Sequence, residues 1–425
     1  MSMDGFLRKA KDCIQKCNGK QAAAFLKLGD KVPSHVTNVV LKAALNTHRV
    51  QMHVNNLLSG KWAEIVSSHI ISKAYYNNGK PGEAFKWAKK AGEACEEIMA
   101  KSASSYDEEG IPPNWYLPIV DCVLNNLRKI AYDSDKETKA TMGMIMPTAG
   151  GKNQREAYDL IRAFLNLCNQ KEKAVGARSK KMGTLFIVNH LFKLAIRINL
   201  LRGTALFIRS VDNPHFPSFD LFAKSQTVTY NYYKGRLNMM EENYTEAETC
   251  LDYALKHCHK GSVGNKTRVL QFLIPLKLLK NQAPHKDLFS KYPLQQYEDI
   301  VRAIKTGNLR LYNELLRKYE DFFVSKGIYL LMVRLKRYVY CNLVRKVFKL
   351  NEKYKSSKPQ QISLKVFRAA FKFHGVEVSE DNFDEIECII ANLIHEKFVK
   401  GYLAHGRALV LSTKSDKFPK KNLPS

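Results

Sequence analysis

The sequence predicts a mainly α-helical protein that ends in a small domain carrying a β-hairpin. Apolar residues recur at helical spacing through nearly every segment up to about residue 355, and short turns with Gly, Asn or Pro separate these segments. After residue 398 the period changes, because VKGYLAHGRALVLS alternates as two short strands do. The 425 residues, 45% of them hydrophobic, allow two or three domains with a sizeable core.

Two helical segments carry small residues where neighbouring helices can approach closely. One follows AYYNNGKP and contains Glu83, Ala84, Ala88 and Ala91; the other follows YYKGRLNMMEENY and contains Glu246, Ala247, Leu251 and Ala254. The pattern is typical of tetratricopeptide (TPR)-like hairpins, without a fixed repeat length. We expect a right-handed stack of such hairpins, with an N-terminal helical-repeat region at 1–179 and further hairpins at 180–327.

Polar stretches predict exposed loops and a tail. Residues 102–112, 134–153 and 169–181 have too few periodic apolar residues to pack, so we expect loops there. The final residues, 413–425, are basic and contain Pro, which predicts a disordered tail.

Residues 328–412 have the element order of a winged helix. A long helix begins near Ile328, and SSKPQQ forms a linker. Ser363 caps a second helix that runs to about Phe373, and Asn382 with Glu385 forms a capping-box-like start for a third through Phe398. Two strands joined at His405-Gly406 complete the order helix, helix, helix and β-hairpin.

Composition excludes several classes of protein. The nine cysteines are scattered without paired spacing, as expected for reduced thiols in the cytosol or nucleus. A long apolar run is missing, so we expect neither secretion nor a membrane span. The formal net charge of +28 favours polyanionic or acidic partners.

Residue patterns for catalysis are weak, and we expect no enzyme activity, cofactor, metal or small-molecule substrate. Gly150-Gly151-Lys152 resembles the end of a phosphate-binding loop, but Met146 stands where its first glycine belongs. His257-Cys258-His259 lies near a helix end, where three neighbours cannot face one metal ion. The acids between Glu377 and Glu387 fit the N-terminus of a helix.

Positive charge is concentrated between Lys326 and Gly375, where 13 basic residues accompany one acid, Glu352. Arginines and an aromatic residue on one stripe of the long helix suit a nucleic-acid surface; a solvated basic face or a dock for an acidic protein remains the alternative. Residues 376–396 carry seven acids and no Lys or Arg, so we expect sequence-tolerant binding to RNA or DNA. The candidate nucleic-acid-binding residues are Arg334, Lys336, Arg337, Tyr338, Arg345, Lys346, Lys349, Lys353, Arg368, Lys372, Lys400 and Arg407.

A helical-hairpin stack that ends in a winged helix resembles the PCI module of proteasome-lid, signalosome and translation-initiation subunits. Four stretches are similar to the PCI-domain-containing protein 2 family: GTLFIVNHLFKLAIRIN, TVTYNYYKGRLNM, CLDYALKHCHKGSVGNKTRVLQFLIPLKLL and ECIIANLIHEKFVKGYLAHGRALVLS. They cover roughly residues 180–412, and before residue 180 the likeness is only architectural.

The resemblance implies a non-catalytic adaptor of the nuclear-pore transcription-and-export complex. Such a protein pairs with a large PCI-like export scaffold, binds a small acidic subunit and supports mRNA export from the nucleus, with the cytoplasm as a second location. We expect the wing residues Tyr402, Leu403, Leu409 and Val410 to contact the scaffold. The alternative is a structural PCI subunit of a signalosome-like, proteasome-lid-like or translation-initiation assembly without direct nucleic-acid binding.

Overall fold

The computed structural model describes two compact units, residues 1–233 and 234–425, by the contacts within each. Within them, the structure describes residues 3–28, 47–101, 112, 114–141, 151–170, 176–354, 359–376, 383–413 and 416–419, with side chains of the sixth helix to residue 138. No helix in these ranges is long and apolar enough to cross a membrane.

The first unit is built from α-helices joined by short turns. Its helices are α1 (Met3–Gln15), α2 (Gly19–Phe25), α3 (Thr47–Asn55), α4 (Gly60–Asn77), α5 (Pro81–Lys101), α6 (Leu117–Thr141), α7 (Lys152–Asn169), α8 (Thr184–Arg197), α9 (Thr204–Val211) and the first part of α10 (Lys224–Met240). Short 3-10 helices lie at Gly176–Arg178, Lys180–Gly183, Leu201–Gly203 and Phe219–Leu221.

The second unit contains the remaining helices and a small sheet. Its helices are α11 (Tyr244–His257), α12 (Val263–Leu279), α13 (Asp287–Lys291), α14 (Gln295–Thr306), α15 (Leu309–Lys318), α16 (Glu320–Lys326), α17 (Tyr329–Lys353), α18 (Leu364–Phe373) and α19 (Asp384–His395). The strands are β1 (Gln361–Ser363), β2 (Gly401–Ala404) and β3 (Ala408–Leu411).

Both predicted TPR-like hairpins are present. In the first, Ala84 of α5 is buried against α4, where the Ser72 hydroxyl donates to the Ala84 carbonyl at 2.7 Å. In the second, a Cβ at Gly235 of α10 would lie 2.8 Å from Leu251 Cγ of α11. Small residues therefore set the close helix approach in both hairpins, and the mainly helical fold is confirmed.

The winged-helix part has the predicted element order and one additional strand. Ser363 caps α18 by accepting from the Lys365 N–H at 3.3 Å, and Gly406 has the positive φ, 68°, that the hairpin turn requires. Strand β3 lies between β1 and β2, antiparallel to both. Ile362 of β1 pairs with Leu409 of β3, and both side chains are fully buried, so the sheet closes the apolar core of this part.

The structure differs from the sequence analysis at two of the predicted loops. In the 169–181 segment, 3-10 helices lie at Gly176–Arg178 and Lys180–Gly183, and Ser179 and Lys180 are buried. Helix α6 continues to Thr141, well into the 134–153 segment. There the Asp135 carboxylate accepts from the backbone N–H groups of Asn153 and Gln154, at 3.1 and 2.9 Å, and so stabilises the first turn of α7. Residues 142–150 of that segment, including Gly150, and residues 102–111 and 171–175 of the other two lie outside the described ranges.

Candidate nucleic-acid and partner interface

Helix α17 carries most of the predicted nucleic-acid-binding residues, and its core side is as expected. Leu331, Leu335, Val339, Leu343 and Val347 are all buried. Tyr338 is buried too, at 5% exposure, and its hydroxyl donates to the Leu279 carbonyl of α12. Burial raises the pKa of Tyr338 to about 12. Since its ring already packs 5.1 Å from the ring of Phe398, Tyr338 cannot stack on a base, contrary to the prediction.

The two predicted arginines in the N-terminal half of α17 are already paired with other side chains of the protein. Arg334 donates to the Glu242 carboxylate and the Tyr244 hydroxyl, both at 2.7 Å, and the hydrogen bond to Glu242 raises the pKa of Arg334. Arg337 donates to Glu396 at 3.0 Å. These contacts reduce the positive charge that a polyanion would meet, so Arg334 and Arg337 are poor candidates.

Lys336 is also unsuited to phosphate contact. It is half-buried, with its Nζ 5.6 Å from the centre of the Tyr340 ring. Burial lowers the pKa of Lys336, and the positive charge of Arg317 lowers it further.

The C-terminal half of α17 presents a different surface, which we call the lysine face: Arg345, Lys346, Lys349 and Lys353. At about 100° per residue these four lie within an arc of about 100°, with the buried Val347 on the opposite side of the helix. The three lysines are exposed. Within the part of the chain that the structure describes, no carboxylate forms an ion pair with any of the four. Their charge therefore remains available to a ligand.

Part of the predicted tail packs beside the lysine face. The Phe418 ring lies 6.0 Å from Phe348, and the Arg345 guanidinium stands 5.3 Å above Phe418. The Lys400 N–H donates to the Lys417 carbonyl at 2.9 Å, and Lys400 Nζ is 3.8 Å from the Asp416 carboxylate. Residues 416–419 are thus ordered against α17, and Asp416 partly offsets the charge of Lys400.

The other predicted cations lie on α18 and the wing. Arg368 is half-buried, with its guanidinium 3.9 Å from the centre of the Phe383 ring, so it has a packing role. Lys372 and Arg407 are exposed. Lys400 is exposed as well, with the Asp416 carboxylate 3.8 Å from its Nζ.

The packing of α15 beside α17 adds a cation that the sequence analysis missed. A Cβ added at Gly375, two residues after α18 ends, would lie 3.2 Å from Arg310 Nε, so Arg310 lies at the end of α18. Burial lowers the pKa of His374 there, and the charges of Lys346 and Arg310 lower it further. Arg310 precedes the stretch counted from Lys326, so the count of basic residues did not include it. Its position on the polar side of an amphipathic helix was the available signal.

The wing exposes one face and buries the other. Tyr402 and Val410 are paired across β2 and β3 and therefore share a face; Tyr402 is 63% exposed and Val410 is partly exposed. Leu403 pairs with Leu409, and Leu409 is fully buried. Leu409 is therefore a core residue and cannot contact a partner as predicted.

The acidic start of α19 supports the wing. Glu387 accepts from the Gly406 N–H and contacts His405 Nδ1, both at 2.7 Å. The Gly406 hydrogen bond, together with His405, lowers the pKa of Glu387, and Glu387 raises the pKa of His405. Residues 377–382 of the acidic stretch lie outside the described ranges.

A cavity of about 690 Å³ lies between α17 and α19, with Val333, Arg334, Arg337 and Glu396 in its wall. Its arginines are already paired with carboxylates, and its third cation is the half-buried Lys336. Among the described residues, no group of three or more His, Cys, Asp or Glu side chains could hold a metal ion.

Two protein families match the chain. The PCI domain matches residues 316–414, and the family described as PSMD3-like, N-terminal TPR repeats matches residues 153–297. These ranges include the winged helix, the lysine face and the second TPR-like hairpin.

Relatives in other organisms match over nearly the whole chain. PCI domain-containing protein 2 of Xenopus laevis is 31% identical over 420 residues, which are 99% of this chain and 98% of that protein. The PCI domain-containing protein 2 homolog of Drosophila melanogaster is 30% identical over 423 residues, 99% of each chain. Protein CSN12 homolog of Gibberella zeae is 30% identical over 384 residues, 84% of this chain and 83% of that protein.

The similarity thus extends well before residue 180, where the sequence stretches had indicated only a likeness of architecture. The chain belongs to the PCI domain-containing protein 2 family of PCI-domain scaffold proteins.

Proposed function

We propose that this protein is a non-catalytic adaptor of the nuclear-pore-associated transcription-and-export complex and binds RNA or DNA through its lysine face. In this proposal it pairs with a large PCI-like export scaffold and a small acidic subunit, and supports mRNA export from the nucleus. The observation that carries the nucleic-acid part is the set of exposed lysines on α17 without a carboxylate partner among the described residues.

The dimensions of the lysine face suit a nucleic-acid backbone. Lys346, Lys349 and Lys353 span seven residues of helix, or about 10 Å at 1.5 Å per residue. One strand of B-form DNA carries about three phosphates over that length. Lysine contacts to phosphate carry no sequence information, so this geometry supports sequence-tolerant binding.

The exposed side of the wing supports the partner-holding part of the proposal. Tyr402 and Val410 present an aromatic and an aliphatic side chain next to each other, away from the core. Aromatic residues of this kind are enriched at protein interfaces. We assign this surface to the large scaffold subunit.

The test of nucleic-acid binding is a triple variant, Lys346→Gln, Lys349→Gln and Lys353→Gln, in the full chain. We expect weaker binding of a fluorescent single-stranded oligonucleotide, and a log-log salt slope reduced by about 2 to 3, because each lost phosphate contact removes about 0.7 to 0.9. Fluorescence anisotropy at several salt concentrations measures both.

The matched control replaces three other exposed lysines of the same unit, Lys256, Lys260 and Lys286, by Gln. It makes the same change in net charge away from α17. The nucleic-acid part of the proposal would be refuted if the log-log salt slope fell equally in both variants. It would also be refuted if a correctly folded lysine-face variant kept the wild-type slope and affinity.

The second candidate is a structural PCI subunit in which an acidic protein covers the lysine face. The pairing of Arg334 and Arg337 with carboxylates favours it, because α17 already holds acidic side chains in its other half. Co-purification from cells followed by mass spectrometry separates the two. A large export scaffold supports the first candidate, and a signalosome-like or lid-like assembly supports the second.

A further inference from the structure

A second basic cavity lies within the first unit, far in sequence from the lysine face. It has a volume of about 380 Å³ and is formed by α7, the start of α8, α9 and the turn that follows α9. Three cations line it, one from each of three segments: Arg162 of α7, Lys181 of the 3-10 helix before α8, and Arg209 of α9. Nothing in the proposed function uses this cavity.

The positive charge of this cavity is not neutralised by acidic side chains in its described lining. Its described lining contains no Asp or Glu. Arg162, Lys181 and Arg209 make no side-chain hydrogen bond or ion pair with any residue in the described ranges. Cations that converge on a concave surface raise the local positive potential and attract anions. The cavity is therefore suited to a negatively charged ligand.

Neutral polar groups give the cavity further hydrogen-bonding capacity. The Asn169 side-chain amide donates to the Ser210 hydroxyl at 3.2 Å and links α7 to α9. The Asn213 side chain accepts from the His215 N–H at 2.9 Å, which holds His215 in the turn. Amides in such positions can pair with the edges of a base, in addition to any phosphate contact.

An aromatic side chain is fixed at the same cavity. Phe216 lines it, and its ring stacks on Phe222 at 5.2 Å with an interplanar angle of 5°. Phe216 remains partly exposed. A ring that is held on one side by another ring is a suitable platform for a nucleobase.

We propose that this cavity binds one nucleotide of a single-stranded nucleic acid, with the phosphate at Arg162, Lys181 and Arg209 and the base against Phe216. The volume lies at the small end of the range of about 300 to 1,000 Å³ found for small-ligand sites, which fits a single nucleotide. A free phosphate compound shares the phosphate chemistry, so the experiment must separate the two ligands.

The first experiment uses the full chain in the background of the lysine-face triple Gln variant, so that only other sites contribute. Residual binding of a fluorescent oligouridylate is measured by anisotropy before and after adding Arg162→Gln and Arg209→Gln. We expect at least about tenfold weaker binding, because two charge-assisted contacts to phosphate are lost. The matched control adds Arg202→Gln and Lys224→Gln, two exposed cations of the same unit outside the cavity.

Equal effects of the two double variants would overturn the proposal. The design also separates it from the proposed function, because the lysine-face variant is compared with wild type in the same assay. If that variant binds as tightly as wild type, the proposed function fails while the cavity is still tested by the added substitutions.

The second experiment tests for contact with a base. A 4-thiouridine oligonucleotide is crosslinked to the full chain and the modified peptide is identified by mass spectrometry. A crosslink on the peptide containing His215 and Phe216, suppressed by uridine monophosphate more than by inorganic pyrophosphate, supports the proposal. Equal suppression by both, or crosslinks only outside this peptide, would overturn the assignment of a nucleotide site.

Discussion

Gly307 holds the turn between α14 and α15 against α17, and replacing it by Ala tests how tightly that helix is fixed. Gly307 has φ +64°, and an added Cβ would lie 2.7 Å from the Leu343 backbone nitrogen and 2.9 Å from the Asn342 carbonyl carbon. These are backbone atoms of α17, which cannot rotate away. The Asn342 side chain also donates to the Ile304 carbonyl at 2.7 Å, which ties the same turn to α17.

The expected cost of Gly307→Ala has two parts. The left-handed backbone conformation costs a residue with a Cβ about 1 to 2 kcal/mol. Overpacking against fixed atoms costs about 1 to 3 kcal/mol more. We therefore expect the free energy of unfolding to fall by about 2 to 5 kcal/mol, measured by urea denaturation followed by circular dichroism.

Gly406→Ala is the matched control, because Gly406 has nearly the same φ, +68°, and no atom within 4 Å of its would-be Cβ. It should show only the conformational cost of about 1 to 2 kcal/mol. Equal destabilisation by the two substitutions would refute the reasoning, since the contact with α17 would then contribute nothing.

Two titratable groups give further predictions. Burial, followed by the charge of Arg128, lowers the pKa of Lys193 to about 8, so the folded chain binds this proton less tightly than the unfolded chain. The free energy of unfolding should therefore rise with pH between about 8 and 10.5. Lys193→Met should raise the melting temperature at pH 7 by more than at pH 10. A lower melting temperature of this variant at pH 7 would contradict the reasoning. Glu387 raises the pKa of His405, so their ion pair stabilises the wing where His405 is protonated and Glu387 is ionised, and this stabilisation is lost as pH rises through the raised pKa of His405. In Glu387→Gln the pKa of His405, followed by NMR, should fall towards the ordinary value near 6.5, whereas an unchanged value would exclude Glu387 as its cause.

The sequence predicted the elements whose signals are local. The apolar spacing of α17, the Ser363 cap of α18 and the glycine turn at Gly406 all lie within a few residues of the structure they determine. Strand β1 was missed because three residues with one buried side chain, Ile362, make no detectable alternation. Its identity as a strand depends on pairing with β3, more than 40 residues later.

The sequence predicted which helix carries the basic residues of the candidate site, but not which of those residues are paired or buried. Helical spacing placed Arg334 and Arg345 on one stripe, yet Glu242 neutralises the first and no described carboxylate pairs with the second. Glu242 lies about 90 residues earlier in the chain, and no pattern in α17 indicates it. The burial of Tyr338 likewise depends on α12 and Phe398, which only the tertiary structure brings together.

The position of β3 between two partners affects how the C-terminal region opens. A central strand is covered by a neighbour along each edge, so its amides should be among the slowest to exchange with deuterium in this part of the chain. The Asn351 side chain of α17 donates to the Pro359 carbonyl at 3.1 Å, two residues before β1 begins. A force applied to the hairpin tip is therefore transmitted through this ladder to the C-terminal end of α17. A partner protein bound to the hairpin tip would thereby alter the dynamics of the lysine face without contacting it.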